Sequence, residues 1–210
     1  MTRLQFKLMM SLVTREIKSQ GHIIEEGSAS SAELLYLYKS AKRPGITSIA
    51  EIGFNLGFSA YAFLKSSPRV SVVSFDIGGH SYIPAAKAII DRKFPGRHTL
   101  IYGDSTKTVP EFAKQHPGTA FDLIFIDGGH AYEVARADIQ NMKSLAGAKT
   151  GVIIDDLTPW LPWGEGPTRA WIEAIQGGVI VQEELYKDGV RVNTIQPPGE
   201  RSWALGHYRF

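Results

Sequence analysis

The stretch Phe121-Asp122-Leu123-Ile124-Phe125-Ile126-Asp127-Gly128-Gly129-His130 decides how the chain is read. Its apolar residues run on without alternation, so a strand here has both faces buried, as in a parallel sheet covered by helices on either side. An acid and two glycines follow where such a strand reaches its carboxyl end. Outward from this stretch the same unit recurs. Ser48–Ile52, Val70–Phe75, His98–Tyr102 and Gly151–Ile154 read as further strands. Gly57–Lys65, Ile83–Phe94, Thr108–Gln115 and Tyr132–Leu145 read as the helices between them. Right-handed crossovers then predict a doubly wound α/β sheet.

The flanks complete one domain. Residues 2–20 and 29–42 read as helices, the second with Ser28, Ser30 and Ser31 as N-cap candidates before Leu34, Leu35, Leu37 and Tyr38. Pro44-Gly45 ends it. After Asp156, a loop with Trp160, Pro162, Trp163 and Gly164 leads to a helix near Thr168–Ile175 with Pro167 at its start. Val179–Tyr186, a type I′ turn at Asp188-Gly189, Val190–Ile195 and Trp203–Phe210 then close the sheet with antiparallel strands. No repeat or linker divides the chain. The expected organisation is an N-terminal helical cap over 1–45, a cofactor-binding core over 46–156, and a lid loop, helix and antiparallel strands over 157–210.

Composition narrows the function. The 210 residues are 43% hydrophobic and 21% charged, which argues against extensive disorder. Lys and Arg number 23 against 21 Asp and Glu, a net +2, where a nucleic-acid binder would show a strong basic excess. There is no cysteine, which excludes disulfides, thiolate nucleophiles and cysteine-ligated metals. No apolar run reaches the length of a signal-peptide core or a membrane span of about 20 residues, so a cytoplasmic protein without a membrane partner is expected.

Ligands of an open parallel sheet bind outside the carboxyl ends of its strands. Here those ends are Glu51-Ile52-Gly53-Phe54-Asn55-Leu56-Gly57-Phe58-Ser59, then Asp76-Ile77, Asp104-Ser105, Asp127-Gly128-Gly129-His130 and Asp155-Asp156. The glycine spacing is E-x-G-x-x-x-G rather than the G-x-G-x-x-G that seats a pyrophosphate. Glu51 repels a diphosphate and suits a cation, and Asp76 stands where a carboxylate meets ribose hydroxyls. A nucleoside with a positively charged tail fits, and S-adenosylmethionine is one. Taken singly, either glycine could be only a tight turn.

On these residues the chain from about Ile46 to Asp156 resembles the class I S-adenosylmethionine-dependent methyltransferases. The phrase around Asp127 and Val152-Ile153-Ile154-Asp155-Asp156 carry a closer similarity to metal-dependent small-molecule O-methyltransferases of the catechol and macrolide-sugar types. The resemblance implies a Rossmann-like sheet of seven strands with the last pair antiparallel. It implies that Glu51, Gly53 and Ser59 contact the methionine part, with Phe54, Asn55 and Gly57 in the same loop. Asp76 and Ile77 fall to the ribose side, Asp104 and Ser105 to the adenine end, and Asp127 also borders the cofactor. Where the catechol type has Asn as third metal ligand, Asp156 stands here, as in the sugar branch.

Asp127, Asp155 and Asp156 end neighbouring strands, and three converging carboxylates call for a hard cation such as Mg²⁺, Mn²⁺ or Ca²⁺. The plainer alternative is that one of the Asp155–Asp156 pair caps a turn while the other faces solvent. His130 is the candidate base, with Asp127 as the competing proton acceptor; it could instead cap the helix near Tyr132 or orient Asp127. Tyr132, Trp160 and Trp163 are substrate candidates. Trp160 and Trp163 read equally as lid or core, with Gly164 and Gly166 lending mobility, and Trp171 reads as core. His80 reads as substrate rim or turn stabiliser. His22, His98, His116 and His207 read as structural or exposed.

The expected function is therefore S-adenosylmethionine- and divalent-metal-dependent O-methylation of a small hydroxylated molecule, such as a sugar or glycosylated natural product. The alternatives are a metal-independent N- or carboxyl-methyltransferase, a nicotinamide-dependent oxidoreductase and a non-catalytic S-adenosylmethionine-binding protein. The apolar N-terminal helix, with Leu4, Phe6, Leu8, Met9, Met10, Leu12 and Val13, suggests a homodimer.

Overall fold

The computed structural model describes residues 1–25 and 29–210; the N-cap candidate Ser28 lies outside them. Two helices, α1 (Arg3–Ser19) and α2 (Ser31–Ala41), lead into an alternating core. Its strands are β1 (Ser48–Ile52), β2 (Ser71–Asp76), β3 (His98–Tyr102), β4 (Phe121–Ile126) and β5 (Ala146–Ile154). Between them lie α3 (Phe58–Ser66), α4 (Ile83–Lys93), α5 (Ser105–Gln115) and α6 (Tyr132–Met142). Helix α7 (Glu165–Gln176) then precedes β6 (Ile180–Lys187), β7 (Val190–Arg191) and β8 (Ser202–Tyr208).

The strands form one sheet in the order β3-β2-β1-β4-β5-β8-β6-β7, with β1 to β5 mutually parallel. β8 inserts antiparallel between β5 and β6, so β6 itself runs with the parallel strands. Chain order reverses between β1 and β4, and that switch point is where a doubly wound sheet opens a crevice. On β4, Ile124 packs with the helices of one face and Phe125 with those of the other, and both are fully buried. The unbroken apolar run is thereby explained. Asp122 ties this strand to β1, accepting from the amides of Thr47 and Ser48 at 2.8 and 2.9 Å.

The sheet has eight strands, as the segments read one by one give, where the resemblance implies seven. The addition is β7, which pairs only through Tyr186–Arg191 and Lys187–Val190 around Asp188 and Gly189, both at positive φ as a type I′ turn requires. The strand expected over Val190–Ile195 ends at Arg191, and two prolines, Pro197 and Pro198, follow where a ladder would need donors. Helix α5 starts at Ser105, three residues before the expected Thr108, because Asp104 caps it by accepting from Thr106 N at 3.0 Å. Pro167 lies inside the first turn of α7, where its missing N–H leaves no bond unmade.

Helix α1 buries Phe6, Met9, Val13 and Ile17 and leaves Leu4, Leu8 and Leu12 exposed along the opposite side. Helix α2 packs on both α1 and α3 and so reaches the switch point. Among the described residues no helix is long and apolar enough to cross a membrane.

Candidate active site

The acid ending β1 is buried among hydroxyls. Glu51 has no exposed surface, and its Oε1 accepts from Ser74 Oγ at 2.6 Å. Ser74 is its register partner on β2, and the same Oγ lies 2.7 Å from His98 Nε2. A hydroxyl carries one proton, so with that proton given to Glu51 the serine accepts from His98. Burial pushes Glu51 up to about 8, against the pull of the Ser74 and Ser59 hydroxyls and with Asp76 adding to the rise. Burial also pushes His98 down to about 4, so its ring stays neutral where it stacks on Phe54 at 4.9 Å. Glu51 Oε2 has no partner.

The loop after β1 is held by the acid ending β2. Asp76 accepts from the amides of Phe54 at 2.8 Å and Asn55 at 3.0 Å through one oxygen, and from Gly78 at 2.8 Å through the other. Asn55 has a φ of 45° and Gly53 one of 90°. A β-carbon at Gly53 would overlap the Asp127 carbonyl oxygen, so only glycine lets this loop cross the end of β4. Gly57 precedes α3, and Ser59 in its first turn is buried beside Glu51. Ile77 stands exposed next to Asp76. At the neighbouring β3 end, Asp104 caps α5 and faces Lys107 at 3.3 Å. Near Ser105 lies Asp138, a carboxyl with no exposed surface and, among the described residues, no hydrogen-bond partner, which burial pushes up to about 7 against the pull of the Ser105 hydroxyl.

Across the switch point, acids face acids. Asp127 at the end of β4 and Asp155 and Asp156 at the end of β5 line one cavity with His130. Asp156 has a φ of 58°, a strained value for any residue with a side chain, of the kind that gathers at ligand sites. Its Oδ2 lies 3.0 Å from His130 Nε2 and its Oδ1 3.7 Å from Arg201 Nη1. Oxygens of Asp127 and Asp156 and a ring nitrogen of His130 fall within 4.8 Å of one another. A second such group joins Asp127 and Asp155 to Glu33, which α2 delivers from the cap.

Burial raises Asp127 well above the usual carboxylate range, with Asp156 and Glu33 adding repulsion. Asp155 is raised in the same way, by burial and then by Glu33 and Asp156. Glu33 is pushed up to about 7 by burial, against the pull of Arg201 and the Ser30 amide. Glu33 Oε1, Asp155 Oδ1 and Asp156 Oδ1 have no hydrogen-bond partner. Buried oxygens without donors, in a purely hard set, suit a divalent cation.

His130 does not cap α6, whose N-cap is Ala131 without a side-chain bond. Tyr132 hydrogen-bonds Glu173 under the guanidinium of Arg169. Trp160 donates to the Gly199 carbonyl at 2.9 Å, tying the loop after β5 to the segment before β8, and Trp163 is exposed. Trp171 is core, donating to Gln182. Gly166, read as a source of mobility, is a packing glycine: a β-carbon there would overlap the His130 carbonyl. Gly164 is likewise closed against Thr158. His80 pairs with Glu25 at 3.1 Å and stacks on Tyr82.

Sequence reasoning missed Glu33, Ser74, Asp138 and Arg201, and gave His98 no more than a structural part. Glu33 left one trace. It stands four residues before Leu37 on the buried face of α2, where a charged residue is out of place.

A family model described as a methyltransferase domain matches residues 50–157, just over half of the 210 residues. The chain belongs to the methyltransferase family. The matched span runs from β1 to the residue after Asp156 and so contains every strand-end acid described above. Solved structures of O-methyltransferases share the Rossmann-like α/β fold of this methyltransferase. An O-methyltransferase from Bacillus cereus, solved with S-adenosylhomocysteine, is 17% identical, with a TM-score of 0.74 over 95% of this chain and 90% of its own. The tomaymycin-synthesis O-methyltransferase of Streptomyces achromogenes, solved with S-adenosylmethionine, is 15% identical, with a TM-score of 0.66 over 93% and 96%. A TDP-rhamnose 3′-O-methyltransferase of calicheamicin biosynthesis is 19% identical, with a TM-score of 0.61 over 81% and 77%. No curated protein matches the sequence.

Proposed function

We propose that this methyltransferase moves the methyl group of S-adenosylmethionine onto a hydroxyl of a small molecule, with a divalent cation, Mg²⁺ or Mn²⁺, at Asp127, Asp155 and Asp156. The observation that carries the reading is a pair of ligand groups sharing Asp127, one with Asp156 and His130, whose Nε2 lies 3.0 Å from Asp156, and the other with Asp155 and Glu33. A divalent cation, when bound, supplies the charge that makes a hydroxyl easier to deprotonate. His130 takes the proton. With its Nε2–H given to Asp156, the ring lone pair is on Nδ1, and Asp156 stabilises the imidazolium that forms.

The cofactor residues follow the same logic. Glu51 Oε2, buried and unpartnered, would meet the ammonium of the methionine part, with Gly53, Phe54, Asn55, Gly57 and Ser59 around it. Asp76 and Ile77 would border the ribose, and Asp104 and Ser105 the adenine. Holding donor and acceptor in line contributes roughly 7–11 kcal/mol to lowering the barrier. The relative that acts on TDP-rhamnose supports a sugar hydroxyl as acceptor. The exposed stripe Leu4, Leu8 and Leu12 supports pairing with a second copy.

The test uses S-adenosylmethionine labelled in its methyl group and a panel of sugar, phenol, amine and carboxylate acceptors, assayed after chelation and again with Mg²⁺. Labelling of a hydroxyl only when Mg²⁺ is restored is expected. Undiminished transfer after exhaustive chelation would contradict the cation.

A further inference from the structure

The cap contributes an acid that its own helix does not need. Glu33 closes a capping box at the start of α2: its amide bonds Ser30 Oγ at 3.1 Å and its Oε2 accepts from the Ser30 amide at 3.2 Å. Glutamine would serve that box equally well, and most capping-box acids stay in water. Glu33 is instead fully buried, and no donor reaches its Oε1. One of the Glu33 carboxylate oxygens lies with one each of Asp127 and Asp155, all within 4.8 Å of one another. Oxygens around one divalent ion sit at about 2.0–2.6 Å from it, which spaces opposite ligands by roughly 4–5 Å. Among the described residues, ion pairs from His130 and Arg201 run to Asp156, and Arg201 also pulls on Glu33.

We infer that Glu33 is a fourth carboxylate of the cation site, so that a bound cation ties helix α2 of the cap to the strand ends of the core. The inference rests on the divalent-cation reading above. Glu33 and Asp155 are the most deeply buried pair and would hold a cation on the side away from the half-exposed His130. Helix α2, which packs on α1 and α3, is then fixed over the crevice by the cation as well as by its apolar face. Without the cation, four carboxylates meet with too little positive charge, and the seat of α2 is the element that gains most when one arrives.

The test measures Mn²⁺ binding by calorimetry, and hydrogen exchange of α2 with and without Mn²⁺, on the wild-type protein, Glu33→Gln, Glu33→Ala and Asp155→Asn. Glutamine keeps the capping box, and Glu33→Gln should melt no lower than wild type without Mn²⁺, since it removes one acid from among acids. The expected result is Mn²⁺ binding by wild type, weakened about tenfold or more in both Glu33 variants. Mn²⁺ should protect the α2 amides in wild type and not in Glu33→Gln. Binding lost in Asp155→Asn but undiminished in both Glu33 variants overturns the role of Glu33 and leaves the cation reading standing. No Mn²⁺ binding by the wild-type protein overturns both.

Discussion

At the ends of β1 and β2 an acid is buried among hydroxyls, whereas at the ends of β4 and β5 acids are buried among acids. Glu51 has Ser74 and Ser59 as donors, a neutral His98 behind them and one open oxygen. Its surroundings can hold it as a neutral carboxylic acid until a single positive charge arrives. Asp127, Asp155, Asp156 and Glu33 have few donors and much mutual repulsion, with one guanidinium and one imidazole nearby. Were those acids all ionised, that side would be short of positive charge by more than one unit among the described residues. On the function proposed above, the two halves of the crevice would take different ligands, a monocation attached to a nucleoside and a small hard dication.

The comparison is broken most severely at His130. If the β4–β5 side does the chemistry, His130→Ala should lower kcat by roughly 10²–10⁴-fold, the usual worth of a positioned base. S-adenosylhomocysteine affinity should barely move, and the acidic limb of the pH–rate profile should vanish. A near-normal kcat with the limb intact would send the proton to Asp127.

Next in size is Glu51. Glu51→Gln keeps the shape but removes the charge, and should weaken S-adenosylmethionine binding by about 1.5–3 kcal/mol. Because burial holds Glu51 up to about 8, a cationic ligand that ionises it displaces its proton at neutral pH. Calorimetry in buffers of different ionisation enthalpy should show proton release in wild type and less in the variant. Equal release in both would mean that another group loses the proton.

The same acid sets a sign for stability without ligand. A carboxyl raised by burial contributes stability that is fully present below about pH 4.5 and lost as the pH climbs through about 8. The melting temperature of Glu51→Gln should therefore fall less than that of wild type between about pH 5 and about pH 9. Parallel curves would show that Glu51 titrates normally.

Much of this was legible because the signals were local. The unbroken run Leu123–Ile126 announced a strand buried on two faces, and each strand end carried its acid within a residue or two. What failed to show needed three dimensions. The capping box accounts for Glu33 so fully that its second oxygen attracts no notice, and Arg201 lies in a segment without periodicity. Ser74 and His98 look like ordinary strand residues until the register places Ser74 beside Glu51 and the His98 ring meets the Ser74 hydroxyl. Gly164 and Gly166 misled for a related reason: sequence does not separate a glycine that moves from one that lets two backbones touch. The alternating Val190–Ile195 promised a longer strand than its partner could pair.

A smaller effect belongs to the loop that frames the crevice. Trp160→Phe removes the bond to the Gly199 carbonyl and should cost about 0.5–1.5 kcal/mol of unfolding free energy by denaturant titration. Ligand affinities should stay the same, and altered S-adenosylhomocysteine binding would make this tryptophan part of the cofactor wall.

The division of the crevice is tested most directly by melting wild type, Glu51→Gln and Asp155→Asn, each with S-adenosylmethionine and, separately, with Mg²⁺. A ligand at a hundredfold excess over its Kd stabilises by about 2.7 kcal/mol, worth roughly 5–10 °C in a chain of 210 residues. Wild type should rise with both ligands, Glu51→Gln chiefly with Mg²⁺ and Asp155→Asn chiefly with S-adenosylmethionine. Loss of both shifts in one of the variants, or no Mg²⁺ shift in wild type, would contradict the division into two differently prepared halves.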